Sequence, residues 1–199
     1  MINYFAVIEK EENLMILHNA RKYNGDENTL PHRENPSNAV PFNELDSMEN
    51  VSSIANNGAL LTIIVLTIPF IILAKGYLNE NIIWILLALI CSGLVLPIHE
   101  FLHAICFKKD VYYYNNLKQM LMFVVGTEDM SKTRFILMTL CPNIILGFIP
   151  YIIFIIYSHI VFAGVLGIIC IGNGFGDYMN VYAVTYLNGM HSYWYMKNK

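Results

Sequence analysis

Charged side chains are scarce in this sequence of 199 residues, which contains 14% Asp, Glu, Lys and Arg against 56% hydrophobic residues. So few charges leave too little polar surface for a water-soluble globule of this size, and the mean hydropathy of +0.47 agrees. The net charge is −3, without the basic cluster that nucleic-acid binding requires. The composition therefore predicts a membrane protein whose surroundings are lipid, and it sets nucleic acid aside as a partner.

The sequence also lacks the patterns that are typical of a disulfide framework and of a cleavable leader. The four cysteines fall in apolar segments, which is typical of small buried residues with free thiols. The N-terminus lacks a basic stretch before its first apolar run and is followed by three glutamates, so we expect no signal peptide. We find no paired repeats, which argues against a transporter.

Four apolar segments have the length that a helix needs to cross a bilayer. In chain order they are residues 59–78, 82–107, 135–157 and 160–187. The sequence therefore predicts an all-α integral membrane protein with about four transmembrane helices. Two short strand-like runs between the second and third spans also predict an interfacial hairpin.

The first 57 residues form a predicted cytosolic segment, because they hold nine of the fifteen acidic residues. Residues 4–8 and 14–17 resemble a short hairpin, and the proline-containing stretch 21–41 resembles a linker. From Phe42 onward, apolar residues at every third position predict an amphipathic helix on the membrane surface. Residues 58–199 would then form the membrane domain.

The positive charges near the ends of the spans predict the orientation. They lie in the connection between spans two and three and at the C-terminal tail, which four spans place on one side. By the positive-inside rule that side is the cytoplasm, so we expect a multi-pass protein of the cell membrane with both termini cytoplasmic. The residues concerned are Lys108, Lys109, Lys118, Lys132, Arg134, Lys197 and Lys199.

The second predicted span contains the sequence His99-Glu100-Phe101-Leu102-His103. Histidines four apart leave the same face of a helix about one turn apart, so both can bind one tetrahedral Zn²⁺. Glu100 lies about 100° round the helix, too far for a third ligand but close enough to hold and deprotonate a water at the metal's open position. Hydrogen-bonded core histidines are the alternative. Because an ionisable group in an apolar span costs about 2.5 to 3.5 kcal/mol, the HExxH interpretation, typical of metallopeptidases, is favoured.

Asp177 is the only acidic residue in the fourth predicted span. It lies about 17 residues from the outer start of its span, as His99 does from the start of span two, so both are about 25 Å deep. Equal depth predicts that Asp177 is the third zinc ligand. A carboxylate hydrogen-bonded to a neighbouring helix is the alternative.

Three asparagines are candidates for orienting these ligands. Asn173 and Asn180 are four residues before and three residues after Asp177, and Asn143 follows Pro142 on span three. Ordinary interhelical hydrogen bonds are the alternative for the first two, and binding of a substrate carbonyl is the alternative for Asn143. Glycines at 172, 174 and 176 would let span four approach the histidine helix closely or unwind locally.

Over roughly residues 43–199 the chain resembles a bacterial membrane family of zincin peptidases, and more distantly the site-2 proteases that cut within membranes. The resemblance rests on the HExxH residues, on Thr139-Leu-Cys-Pro142 and on Gly176-Asp177. It implies that His99, His103 and Asp177 bind zinc and that Glu100 is the catalytic base. Site-2 proteases place the aspartate before a glycine, whereas Tyr178 follows it here, so that likeness carries no information about the substrate.

The sequence thus predicts a membrane-embedded zinc metallopeptidase that cleaves a peptide or membrane-protein substrate near the cytoplasmic face. The alternative is a non-catalytic membrane protein that binds a metal or a partner, for instance in immunity or assembly, which the acidic N-terminal segment favours.

Overall fold

The computed structural model describes residues 4–10, 13–23, 29–31, 40–41, 48–116, 121–187 and 192–193. Six α-helices are present in that part of the chain: α1 Met48–Ala74, α2 Ile82–Ala104, α3 Lys132–Pro142, α4 Ile149–Ile156, α5 Val161–Asn173 and α6 Phe175–Tyr182. π-Helical turns join α3 to α4 at Asn143–Phe148 and extend α6 at Ala183–Leu187. The strands are β1 Tyr4–Lys10, β2 Asn13–Lys22, β3 Val40–Pro41, β4 Val111–Asn116, β5 Leu121–Gly126 and β6 Ser192–Tyr193.

Three helical stretches are long and apolar enough to cross a membrane, namely Asn50–Ala74, Ile82–Ala104 and Lys132–Ile156. A fourth exists if Val161–Asn173 and Phe175–Leu187, which meet at a bend of 44°, count as one span. The predicted class, a helical protein with about four membrane-spanning segments, is confirmed.

Long aliphatic side chains on α1 and α2 are left uncovered by the protein. Leu61 on α1 is 63% exposed and Leu94 on α2 is 67% exposed. A continuous apolar surface of this kind is unfavourable in water and typical of helices that face lipid.

The amphipathic surface helix expected from residue 42 is not a separate element. Residues 48–57 are the first turns of α1, which continues without a break to Ala74, so the first span both begins and ends earlier than expected. Gly58 lies within α1, where its missing side chain leaves room for the ring of Phe175. The first residues of the expected helix, 42–47, lie outside the described residues.

The chain groups into two compact units, of which the first contains residues 1–44, 100–138 and 183–199. Its four-stranded sheet has the order β1-β2-β4-β5. Both expected hairpins are present, since β1 pairs antiparallel with β2 and β4 pairs antiparallel with β5. The two hairpins are joined into one sheet because β2 pairs in parallel with β4, a pairing for which the sequence analysis makes no prediction. One four-stranded sheet leaves fewer unpaired edges than two isolated hairpins, each marginal in water.

Strand β2 also extends to Lys22, into a stretch expected to be linker. The two compact units are defined by contacts between residues. The predicted division at residue 57 concerned which residues enter the membrane, and that division stays a prediction.

The second unit contains residues 45–99 and 139–182, and α5 lies at its centre. Helices α1 and α4 pack against α5 around Phe70, Phe154 and Ile168, all of which are buried. Gly172 packs against Ile63 on α1, so the close approach expected toward the histidine helix is made to α1 instead. Local unwinding, the other expectation for this glycine-rich stretch, is confirmed by the break between α5 and α6 at Gly174.

Candidate metal centre

Helix α2 carries the HExxH residues on its last turns and runs uninterrupted from Ile82 to Ala104. The spacing that the motif requires is therefore present. One ligand atom from each of His99, Glu100 and His103 lies within 4.8 Å of the others, a group that could hold a metal ion. His103 is buried, whereas His99 and Glu100 are half-buried.

The orientation of His103 is fixed by a backbone carbonyl. Its Nδ1 lies 3.0 Å from the carbonyl oxygen of Met138. A carbonyl only accepts hydrogen bonds, so Nδ1 carries the hydrogen and Nε2 is the nitrogen with the lone pair that a metal needs. Metal-binding histidines commonly donate their second nitrogen in this way.

Pro142 explains why the Met138 carbonyl can accept this hydrogen bond. In a regular helix that carbonyl would accept from the N–H of the residue four positions later, which is residue 142. Proline has no N–H to donate. The proline that ends α3 therefore leaves an acceptor within the helix, and His103 uses it.

His99 and Asp177 lie side by side. Their Nε2 and Oδ2 atoms are 3.1 Å apart, and the two side chains are 13% and 14% exposed. Two ligands of a tetrahedral zinc, each at about 2.0 to 2.1 Å from the ion, are separated by about 3.3 Å. The expectation that Asp177 lies at the level of His99 is confirmed. The 3.1 Å spacing fits a hydrogen bond as well as two ligands of one ion, and the group of three that could hold a metal contains Glu100 rather than Asp177.

Asp177 reaches this position because the fourth span breaks at Gly174. Helix α6 begins at Phe175, which places Asp177 in its first turn, and the Asp177 N–H donates to the Gly174 carbonyl at 2.9 Å. The positive end of a helix dipole lies at this turn and favours an ionised carboxylate.

Asn143 is the asparagine that contacts Asp177. Its Nδ2 donates to Asp177 Oδ2 at 2.6 Å and to the Thr139 carbonyl at 3.3 Å. The residue is 1% exposed. Its amide hydrogens are thus directed at groups of the protein, so these contacts favour a role in orienting Asp177 over the binding of a substrate carbonyl.

Asn173 and Asn180 are placed differently. Asn173 is exposed and Asn180 is half-buried, and among the described residues neither makes a hydrogen bond with Asp177. The expected common face assumed a continuous helix, whereas the break at Gly174 puts Asn173 on α5 and Asp177 on α6. Their roles stay predictions.

Tyr113 on β4 lies within electrostatic range of Glu100, which the sequence pattern does not reveal. Burial raises the pKa of the Tyr113 hydroxyl, and the Glu100 carboxylate raises it further. The phenol therefore keeps its hydrogen well above neutral pH. Tyr113 lies on a strand and Glu100 on a helix thirteen positions earlier. No local spacing rule predicts that two such residues are close, so their proximity is visible only in the folded structure.

An ion pair holds the chain just after α2. Arg134 donates to the Cys106 carbonyl at 2.6 Å and pairs with Glu128 at 2.5 Å. Glu128 also accepts the backbone N–H groups of Lys108 and Lys109, at 2.6 and 2.8 Å. In the sequence analysis Arg134, Lys108 and Lys109 indicate only the orientation in the membrane. In the structure their contacts with Glu128 fix the turn that follows α2.

The described geometry defines a class, that of a helix whose two histidines and glutamate could hold a metal ion, with a carboxylate beside the first histidine. A family model described as "Putative zincin peptidase" matches residues 92–188, a range that contains all of these residues. The resemblance to zincin peptidases is thereby confirmed over residues 92–188, a narrower range than the expected 43–199, while the likeness to site-2 proteases stays a prediction. No curated protein and no solved structure matches the chain.

Proposed function

We propose that this protein is a zinc metallopeptidase embedded in the membrane, which cleaves a peptide or membrane-protein substrate near the cytoplasmic face. The observation that carries the proposal is the contact between His99 and Asp177. It places the Asp177 carboxylate oxygen Oδ2 at 3.1 Å from His99 Nε2 on the HExxH helix. The family model supports the same class of activity. The distribution of positive charge supports the cytoplasmic placement of both termini.

The residues suit zinc by their chemistry. In the proposal His99, His103 and Asp177 are the three protein ligands, and a fourth position stays open, as in catalytic rather than structural zinc sites. The hydrogen bond from His103 Nδ1 to Met138 leaves Nε2 as the ligand atom. A zinc ion bound there would polarise the scissile carbonyl and lower the pKa of a bound water toward about 7.

Glu100 has the role of general base in this proposal. Its carboxylate takes a proton from the attacking water and passes it to the nitrogen of the leaving amine, so the same group acts first as base and then as acid. The position of Glu100, one residue after a ligand and part of the same group of atoms, supports this assignment.

Replacing Glu100 by Gln tests the proposal. The purified chain would be reconstituted in lipid vesicles with zinc and a library of apolar peptides, and cleavage followed by mass spectrometry. We expect cleavage by the wild-type protein, loss of at least about a thousandfold in Glu100→Gln, and unchanged zinc content. Glu80→Gln removes an exposed carboxylate in the turn before α2 and should cleave like the wild type.

Retained cleavage in Glu100→Gln would overturn the assignment of the base. Zinc bound in equal amount to protein, with no cleavage of any peptide by the wild type, would instead favour the non-catalytic metal-binding alternative.

A further inference from the structure

We propose that Asn143 is a positioning residue that holds the Asp177 carboxylate toward the metal, and that residue 174 is glycine to make room for the Asn143 side chain. The inference rests on the proposed zinc site and deepens it. Neither residue touches the reacting atoms in this account; both act through Asp177.

The direction of the Asn143 carboxamide follows from its neighbours. On its nitrogen side lie the Asp177 carboxylate and the Thr139 carbonyl, which can only accept hydrogen bonds. On its oxygen side lies the Tyr178 hydroxyl at 3.5 Å, which shares its single hydrogen between Asn143 Oδ1 and the Ile171 carbonyl at 3.2 Å. The NH₂ group therefore faces Asp177, and the reversed carboxamide would set oxygen against oxygen.

The Asn143–Asp177 hydrogen bond is short at 2.6 Å, and it ends on Oδ2, the oxygen that also faces His99. Hydrogen bonds to a charged acceptor are about twice as strong as neutral ones. One buried donor thus restricts the rotation of the carboxylate and directs that oxygen toward His99. Supports of this kind typically change metal affinity by about 10- to 100-fold.

Gly174 is needed for space rather than for backbone conformation. Its dihedral angles are φ −72° and ψ 3°, which any L-residue can adopt. A Cβ at this position would overlap the carboxamide oxygen of Asn143. The space that a side chain at position 174 would fill is therefore occupied by the Asn143 carboxamide, which contacts Asp177.

Zinc affinity of the full-length protein in lipid nanodiscs, measured by competition with a chelating dye, tests the inference. We expect Asn143→Ala to weaken zinc binding at least about tenfold, and Gly174→Ala to weaken it in the same way because the new methyl group displaces the intact amide. Gly176→Ala is the matched control. It adds a methyl group that meets nothing within 4 Å, so it should bind zinc like the wild type.

A double-mutant cycle separates this role from a general loss of packing. Once Asn143 is shortened to Ala, the methyl group of Ala at 174 has space, so the double variant should bind zinc no more weakly than Asn143→Ala alone. A purely structural role would lower the melting temperature of the zinc-free protein and leave the zinc affinity of the folded fraction unchanged. Wild-type affinity in Gly174→Ala, or additive losses in the double variant, would overturn the inference.

Asp177→Ala distinguishes a failure of this inference from a failure of the zinc site. If Asp177→Ala binds zinc like the wild type, Asp177 is no ligand and the proposed site is wrong. If Asp177→Ala loses zinc while Asn143→Ala and Gly174→Ala keep it, the site stands and only the positioning role is refuted.

Discussion

Two of the proposed zinc ligands are held by different kinds of partner. His103 donates to a backbone carbonyl, that of Met138, which Pro142 leaves without its helical donor. Asp177 accepts from a side-chain amide, that of Asn143, which fits because residue 174 has no side chain. A ligand held by backbone depends on helix geometry and tolerates changes in the side chain of its partner. A ligand held by a side chain depends on that residue and on the space around it.

Removal of either ligand should have the largest effect, and it tests whether the two regions serve one ion. We expect Asp177→Ala and His103→Ala each to weaken zinc binding at least about a hundredfold, since a zinc site of several ligands is worth about 10 to 16 kcal/mol in total. Isothermal titration of the purified chain measures this. A large loss in one variant and none in the other would mean that only one region binds the metal.

Pro142→Ala should have an intermediate effect that is specific to His103. The new N–H competes with His103 for the Met138 carbonyl, so we expect zinc affinity to fall by up to about tenfold and the ¹⁵N shifts of the His103 ring to show a mixture of tautomers. Pro150→Ala changes the other proline of this span, in the first turn of α4, and is the control. An unchanged His103 tautomer in Pro142→Ala would contradict the role given to the proline.

Substitution of the two partners themselves sharpens the comparison. Met138→Leu keeps the carbonyl that His103 uses, so zinc affinity should change by less than about twofold, whereas Asn143→Ala removes the amide that Asp177 uses. Measuring both variants in the same dye competition tests whether the backbone contact of His103 tolerates a change of side chain better than the side-chain contact of Asp177 does. Equal losses in both would remove the distinction.

Arg134→Met should leave zinc affinity unchanged and lower stability instead. The variant removes the cation that pairs with Glu128, whose side chain is 3% exposed, and the hydrogen bond from Arg134 to the Cys106 carbonyl. A buried carboxylate that keeps its backbone hydrogen bonds but loses its cation costs about 2 to 3 kcal/mol, measurable as a lower denaturation midpoint. A loss of zinc affinity in the folded protein would show that the turn after α2 also positions the metal ligands.

Local spacing in the sequence predicts much of the candidate site. The fourfold spacing of His99 and His103 needs only a helix, and equal depth in two spans is enough to bring Asp177 beside His99. The Asn143–Asp177 contact joins residues 34 positions apart, and no periodicity links them. Asn173 was expected on the same face as Asp177 because the spacing assumes a continuous helix, and the break at Gly174 removes that assumption.

In the overall fold, too, the sequence predicts local elements but not the contacts between distant residues. Both hairpins follow from alternating apolar runs, which are local. The start of α2 at Ile82 follows from a continuous apolar segment, although the predicted end at residue 107 lies three residues beyond Ala104. The parallel pairing of β2 with β4 joins residues such as Leu17 and Val111, far apart in the chain, and propensity carries no information about such partners. The start of α1 was misplaced because polar residues before Gly58 indicate a surface, although nothing in them ends a helix.

X-ray absorption at the zinc edge, on wild-type protein and on Asp177→Ala, tests the central claim most directly. The account predicts two imidazole nitrogens and oxygen ligands at about 2.0 to 2.2 Å in the wild type, with loss of the protein oxygen or of the zinc itself in the variant. A sulfur ligand at about 2.3 Å, or a spectrum that Asp177→Ala leaves unchanged, would contradict it.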